Sequence, residues 1–172
     1  AEGPDGLYLI DQHAAHERIL FEEVHAQQAR SEAEVQGLLE PVTIEVTPRQ
    51  EEVLKAGEEI LAAYGFAIEP FGQRTYLVRA VPAIVKEKVA EAVGEVLDSM
   101  SSERDAKDWE HRIALSLACH SAVRAGQVLS QEEVRQLVRE LEQTELPLTC
   151  PHGRPTMIRF SSSQLEREFG RD

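Results

Sequence analysis

The residue types able to do chemistry fall in two short runs. One is Asp11-Gln12-His13-Ala14-Ala15-His16-Glu17-Arg18-Ile19-Leu20-Phe21-Glu22, the other Cys150-Pro151-His152-Gly153-Arg154-Pro155, and Cys119 lies between them. Together they offer imidazoles, carboxylates and two thiolates, a donor mixture suited to Zn²⁺ or a similar transition ion. On a helical wheel of about 100° per residue with His13 at zero, Glu17 falls near 40°, Leu20 near 340° and Val24 near 20°. The imidazole and the carboxylate therefore share an apolar stripe, where burial is costly unless a cation compensates their polarity. Glu22 falls on the opposite side, beside Arg18, as a supporting group, and His16 borders the stripe as a support or a flank residue. Cys119 lines up with Leu115 and Val123 and points inward, a position equally suited to a small apolar filler. Pro151 pushes Cys150 toward extended backbone, so Cys150 and His152, two apart, are expected to face the same way.

The elements that must position these groups follow from periodicity and punctuation. Leu7-Tyr8-Leu9-Ile10 reads as a buried strand, followed by a helix from about 13 to 30 that starts at Asp11 or Gln12, near the positive end of the helix dipole. Residues 38–46 read as a strand that Pro41 confines to an edge or bends. Thr47, Pro48 and Gln50 open a second helix with a capping box, and Gly65 stops it. A hairpin is expected over 66–71 and 76–81, a third helix over 84–100, and a fourth over 107–125, apolar nearly all round, ended by Gly126. Ser130 and Glu133 cap a fifth helix; a strand over 156–160 and a helix over 161–169 complete the chain. The class is α+β: a small mixed sheet packed by helices over 1–45 and 106–172, carrying the metal motifs, with an inserted α/β subdomain over 46–105.

With 172 residues, 42% hydrophobic and 28% charged, the chain can bury a real core, and no apolar run reaches membrane-spanning length. The net charge of −13 repels phosphates, so DNA is bound weakly by this surface alone. The two cysteines are too few for a secreted disulfide scaffold, which points to a reducing cytoplasm. Ala1 in place of an initiator Met suggests a piece of a longer protein.

The first run fills every fixed position of D-Q-H-A-x-x-E-x-x-x-x-E. Ala118-Cys119-His120-Ser121-Ala122 resembles A-C-K-x-A, with His120 where lysine is commoner, and the last run reads C-P-H-G-R-P. In this order the three motifs resemble the C-terminal domain of the MutL mismatch-repair family, in its endonuclease lineages. The resemblance implies a homodimer with a dimerisation part and a regulatory part, and a metal site that nicks one DNA strand. It makes Asp11 the essential acid and His13, Glu17, Cys119, Cys150 and His152 the metal ligands, with Arg154 in support. Family members use Zn²⁺ as a structural or regulatory ion and Mn²⁺ or Mg²⁺ for the cut. Because thiolates suit a cutting ion poorly, a second, oxygen-rich ion is expected near Asp11 and Glu17.

Gln36-Gly37-Leu38-Leu39-Glu40-Pro41 resembles the family's Q-x-x-L/I-x-P segment, which implies that Gln36, Leu39 and Pro41 dock on the replication sliding clamp. A clamp threaded on DNA would supply the local concentration that an acidic surface cannot. ATP hydrolysis, which the family places in an N-terminal partner domain, is not expected here, because no glycine-rich nucleotide fingerprint occurs. The rival readings are a non-catalytic, zinc-stapled module for dimerisation and clamp binding, and a redox pair of Cys119 with Cys150.

Overall fold

The computed structural model describes residues 1–3, 6–103, 105–124 and 126–170. In chain order the elements are β1 (Glu2–Gly3), β2 (Gly6–Ile10), α1 (Gln12–Ala29), β3 (Val35–Glu45), α2 (Pro48–Ala56), α3 (Glu58–Ala63), β4 (Ala67–Gly72) and β5 (Thr75–Pro82). They continue with α4 (Val89–Ser102), α5 (Trp109–Ser121), α6 (Gln131–Glu142), β6 (Met157–Phe160) and α7 (Ser162–Glu168). The class is α+β, as the sequence indicates. Among the described residues both sheets are antiparallel throughout, in place of the mixed sheet expected. No described helix is long and apolar enough to cross a membrane.

The chain divides into two compact units, Ala1–Ile19 with Ala122–Asp172, and Leu20–Ser121. The inserted unit is thus wider than the 46–105 read from sequence. β3 pairs with β5 from Val35↔Pro82 to Glu45↔Thr75, and α5 packs on α4, so both elements belong to the insert. Cross-strand pairing of this kind leaves no mark in composition.

In the inserted unit the sheet order is β3-β5-β4. Thr47 caps α2 with the expected box, but Gly57 breaks the helix, and α3 runs only to Ala63. Helix α4 starts five residues late, behind Lys88, whose φ of 53 fits a turn rather than a first helical residue. One contiguous core fills this unit, with Val78, Val81, Leu97, Met100, Ile113 and Leu117 all at 0% exposure. Helix α5 ends at Ser121, short of the expected 125, and Ala125 lies outside the described residues.

In the terminal unit the sheet order is β1-β2-β6. Leu9 lies opposite Ile158, and Ile10 opposite Met157. Ile10 and Met157 pack inward against Ala15, Leu137 and Leu141, so α6, capped by Ser130 and Glu133, covers the inner side. Gly6, at φ 133, lets β2 begin against the Phe160 carbonyl, where a Cβ has no room. The run Leu7–Ile10 is therefore buried on one face only: Leu9 and Ile158 are 53% and 56% exposed.

Candidate metal centre

The site is built in the terminal unit from the start of α1 outward. Asp11 leaves β2 with its amide donating to the Thr156 carbonyl at 2.9 Å. Its Oδ1 then accepts the amides of His13 (3.0 Å) and Ala14 (3.1 Å), making Asp11 the N-cap of α1. Three side chains of the first turns hold the segment after Ala122. The Gln12 amide donates to the Gln127 carbonyl (2.7 Å), and the Val123 amide donates to His16 Nδ1 (2.9 Å). His13 Nδ1 lies 3.0 Å from the Val123 carbonyl, which can only accept, so that nitrogen carries the hydrogen.

The His13 tautomer decides what the site can do. With Nδ1 donating, Nε2 presents its lone pair, and it sits 3.2 Å from Glu17 Oε1, also an acceptor. Two acceptors that close must share a positive centre, either a proton or a metal ion. A tetrahedral ion with bonds of about 2.0–2.1 Å separates its ligand atoms by roughly 3.3 Å. An imidazole whose second nitrogen donates to a backbone carbonyl also has the orientation typical of a metal ligand.

Glu17 is 2% exposed. Its other oxygen, Oε2, lies 3.5 Å from His152 Nδ1 and 3.2 Å from Arg154 Nη2. The Arg154 guanidinium also hydrogen-bonds Cys150, and that sulfur together with the Glu17 charge holds it above its ordinary pKa. The last motif is a turn in place of the extended segment expected. The Gly153 amide donates to the Cys150 carbonyl (2.9 Å), the Cys150 amide to the Arg154 carbonyl (2.8 Å), and Thr149 bridges Pro155. Pro151 supplies the fixed φ of the turn's second position, and Gly153 takes φ 79. Cys150 is consequently buried, while His152 on the turn is exposed yet reaches Glu17.

The structure thus brings together His13, Glu17, Cys150, His152 and Arg154 in one unit, with Asp11 at the head of the same helix. Cys119 belongs to the inserted unit, on α5, and is half-buried. His120, at the lysine position of its motif, sets Nδ1 2.8 Å from Glu95 Oε2. Glu22 is half-buried in the inserted unit. Arg18, placed on the open side by the wheel, is 6% exposed, with Nε donating to the Thr149 carbonyl at 2.6 Å. That correction arises because residues before Cys150 cover a face that a single helix cannot know is covered. Sequence reasoning also missed Val123, which acts through its backbone, and Thr156, fully buried with its hydroxyl donating to the Pro147 carbonyl.

Comparison with known proteins resolves the family. Residues 1–129 match the model of the MutL C-terminal dimerisation domain. The chain belongs to that family of domains. It is 44% identical over 175 residues to the DNA mismatch repair protein MutL of Koribacter versatilis, covering 99% of this chain and 27% of that protein. Its identity to the MutL proteins of Symbiobacterium thermophilum and Desulforudis audaxviator is 41% over 177 residues and 42% over 176. Those matches cover 99% and 100% of this chain and 28% and 31% of the relatives, so the chain spans under a third of their length.

Two surfaces of this MutL C-terminal domain bear on partners. Gln36, Leu39 and Pro41 all lie exposed on β3, where pairing with β5 breaks between Gly37 and Val42, and Leu39 is 104% exposed. Pro41, which cannot donate to a ladder, sits in this break on an edge strand, as expected. In the terminal unit, Leu7, Leu9 and Ile158 form an uncovered apolar sheet face.

Proposed function

We propose that this domain serves DNA mismatch repair as a metal-dependent nicking module, hydrolysing one phosphodiester strand while dimerised and docked on the sliding clamp. The observation that carries the reading is Glu17, a buried carboxylate met by His13 on one oxygen and by His152 on the other. Those three residues and Cys150 fit a Zn²⁺ ion of structural or regulatory use, and the motif resemblance adds Cys119 to the set. Mn²⁺ or Mg²⁺, held by oxygen donors near Asp11 and Glu17, would supply Lewis acidity and a lowered water pKa for the cut. Asp11 keeps one oxygen on the helix amides, which leaves the other to orient the attacking water; Glu17 fixes the imidazoles around it.

Partners follow from surface chemistry. A second copy of the chain covers Leu7, Leu9 and Ile158, consistent with a dimerisation family and with the apolar character of both faces of β2. Leu39, flanked by Gln36 and Pro41, is the anchor for the clamp, which holds DNA near a domain of net charge −13. An N-terminal ATPase domain acts from elsewhere in the longer protein, and the cytoplasm is the compartment.

Supercoiled plasmid incubated with the domain, Mn²⁺ and clamp is expected to become nicked, and Asp11→Asn to abolish nicking. Asparagine caps a helix as well as aspartate, so that variant keeps the fold and removes only the charge. No nicking by the wild type under these conditions, or nicking unchanged by Asp11→Asn, defeats the enzyme reading. One observation favours the alternative of a non-catalytic zinc-stapled module: the cap already accounts for Asp11 without any chemistry.

A further inference from the structure

We propose that Arg154 is an intramolecular stand-in for the metal ion: in the metal-free protein its guanidinium occupies Glu17 and Cys150, and an ion binds only as that side chain swings out. The inference rests on the metal site proposed above and deepens it with a gate.

A carboxylate that is 2% exposed cannot be left without a positive partner, since an uncompensated buried charge is strongly destabilising. Arg154 supplies that partner from the rim, its Nη2 3.2 Å from Glu17 Oε2 while its own side chain stays 60% exposed. The same guanidinium bonds Cys150, so it engages a carboxylate and a sulfur at once. These are the two kinds of donor that a transition ion would share. The exposure means that release into water needs no repacking. The Arg154 carbonyl is pinned by the Cys150 amide at 2.8 Å, which confines the movement to the side chain.

Two consequences follow. The closed form lowers apparent ion affinity by the fraction of molecules in which the site is open. It also filters cations. Mg²⁺ and Ca²⁺ gain little from sulfur and displace the guanidinium poorly, whereas Zn²⁺ recovers the lost contacts through thiolate and imidazole.

The test uses the whole chain, with Zn²⁺ as the probe in competition with a chelator, and thermal melting in excess chelator. Arg154→Gln is expected to bind Zn²⁺ about tenfold more tightly than the wild type, matching a site open in roughly a tenth of molecules. It is also expected to melt at lower temperature when metal-free. Arg154→Lys, which keeps the charge and loses the fork, should fall between the two. Zn²⁺ affinity that is unchanged or weaker in Arg154→Gln, or an unchanged metal-free melt, overturns the gate while leaving the metal site intact. Absence of Zn²⁺ binding in the wild type, or binding unaltered by both Glu17→Gln and the exposed His152→Ala, overturns the site and the gate together.

Discussion

The two units solve the burial problem differently. The inserted unit closes one broad apolar core, from Val24 and Ile44 through Leu97 to Leu117, and its polar groups lie mostly at the rim. Among the described residues the terminal unit has one small apolar cluster, Ala15, Leu137 and Leu141 with a few partly covered neighbours, and it also buries the polar Glu17, Arg18 and Thr156. A unit with so small a core draws order from helix caps and from backbone carbonyls captured by His13 and Arg18, to which the proposed cation and partner would add. On this reading the insert rests on hydrophobic burial, and the terminal unit is where the proposed ion and partner would add stability.

The sharpest way to break this contrast is to carve a cavity in the insert. Leu97, at 0% exposure, replaced by alanine should cost about 3–5 kcal/mol in urea unfolding, and a cost below about 1 kcal/mol would deny the insert its self-sufficient core. Next comes the outer face of the terminal unit. Leu9→Asp with Ile158→Asp should raise the dimer dissociation constant by about a hundredfold or more in sedimentation, the scale of central interface residues. An undisturbed dimer would move the interface elsewhere. Leu39→Ala, in a side chain with no burial to lose, should weaken clamp binding about tenfold in a pull-down or titration. Its unfolding curve should stay within about 0.5 kcal/mol of the wild type.

The smallest effect is a pH dependence of the insert. His25 meets Phe21 edge to face with ring centroids 4.5 Å apart, and His111 approaches the same ring edge-on at 5.3 Å. Burial first and His111 second push His25 below its ordinary value of 6.5, with Glu110 opposing them. The unfolded chain then binds more protons than the folded one as pH falls below about 6.5, so stability is complete above that pH and declines beneath it. Melting temperatures from pH 8 to 5 should show this decline, and His25→Gln should flatten it. A slope unchanged by that substitution would assign it to other groups.

Much of this was legible where chemistry is local. Thr47-Pro48-Gln50 and Ser130-Glu133 form their capping boxes because cap and partner lie within one turn. His13 and Glu17 share a helix face because 3.6-residue periodicity puts them there. What stayed hidden depends on distant chain. Nothing near Arg18 announces the Thr149 carbonyl, nothing near His13 announces that of Val123, and the pairing that assigns β3 to the insert joins residues 30 to 47 apart in sequence, from Glu45↔Thr75 to Val35↔Pro82. Pro151 signals extended backbone before it, yet the glycine two residues on lets the same proline start a turn, and that turn separates a buried Cys150 from an exposed His152.

The central claim is that Glu17 anchors a mixed sulfur, nitrogen and oxygen site for a transition ion. X-ray absorption spectroscopy of the Zn²⁺-loaded domain tests it directly. The account predicts four-coordinate zinc with sulfur at about 2.3 Å beside nitrogen or oxygen at about 2.0–2.1 Å, and loss of the sulfur shell's intensity in Cys150→Ser. Zinc surrounded by oxygen and nitrogen alone, with a spectrum indifferent to Cys150→Ser and Glu17→Gln, would contradict it.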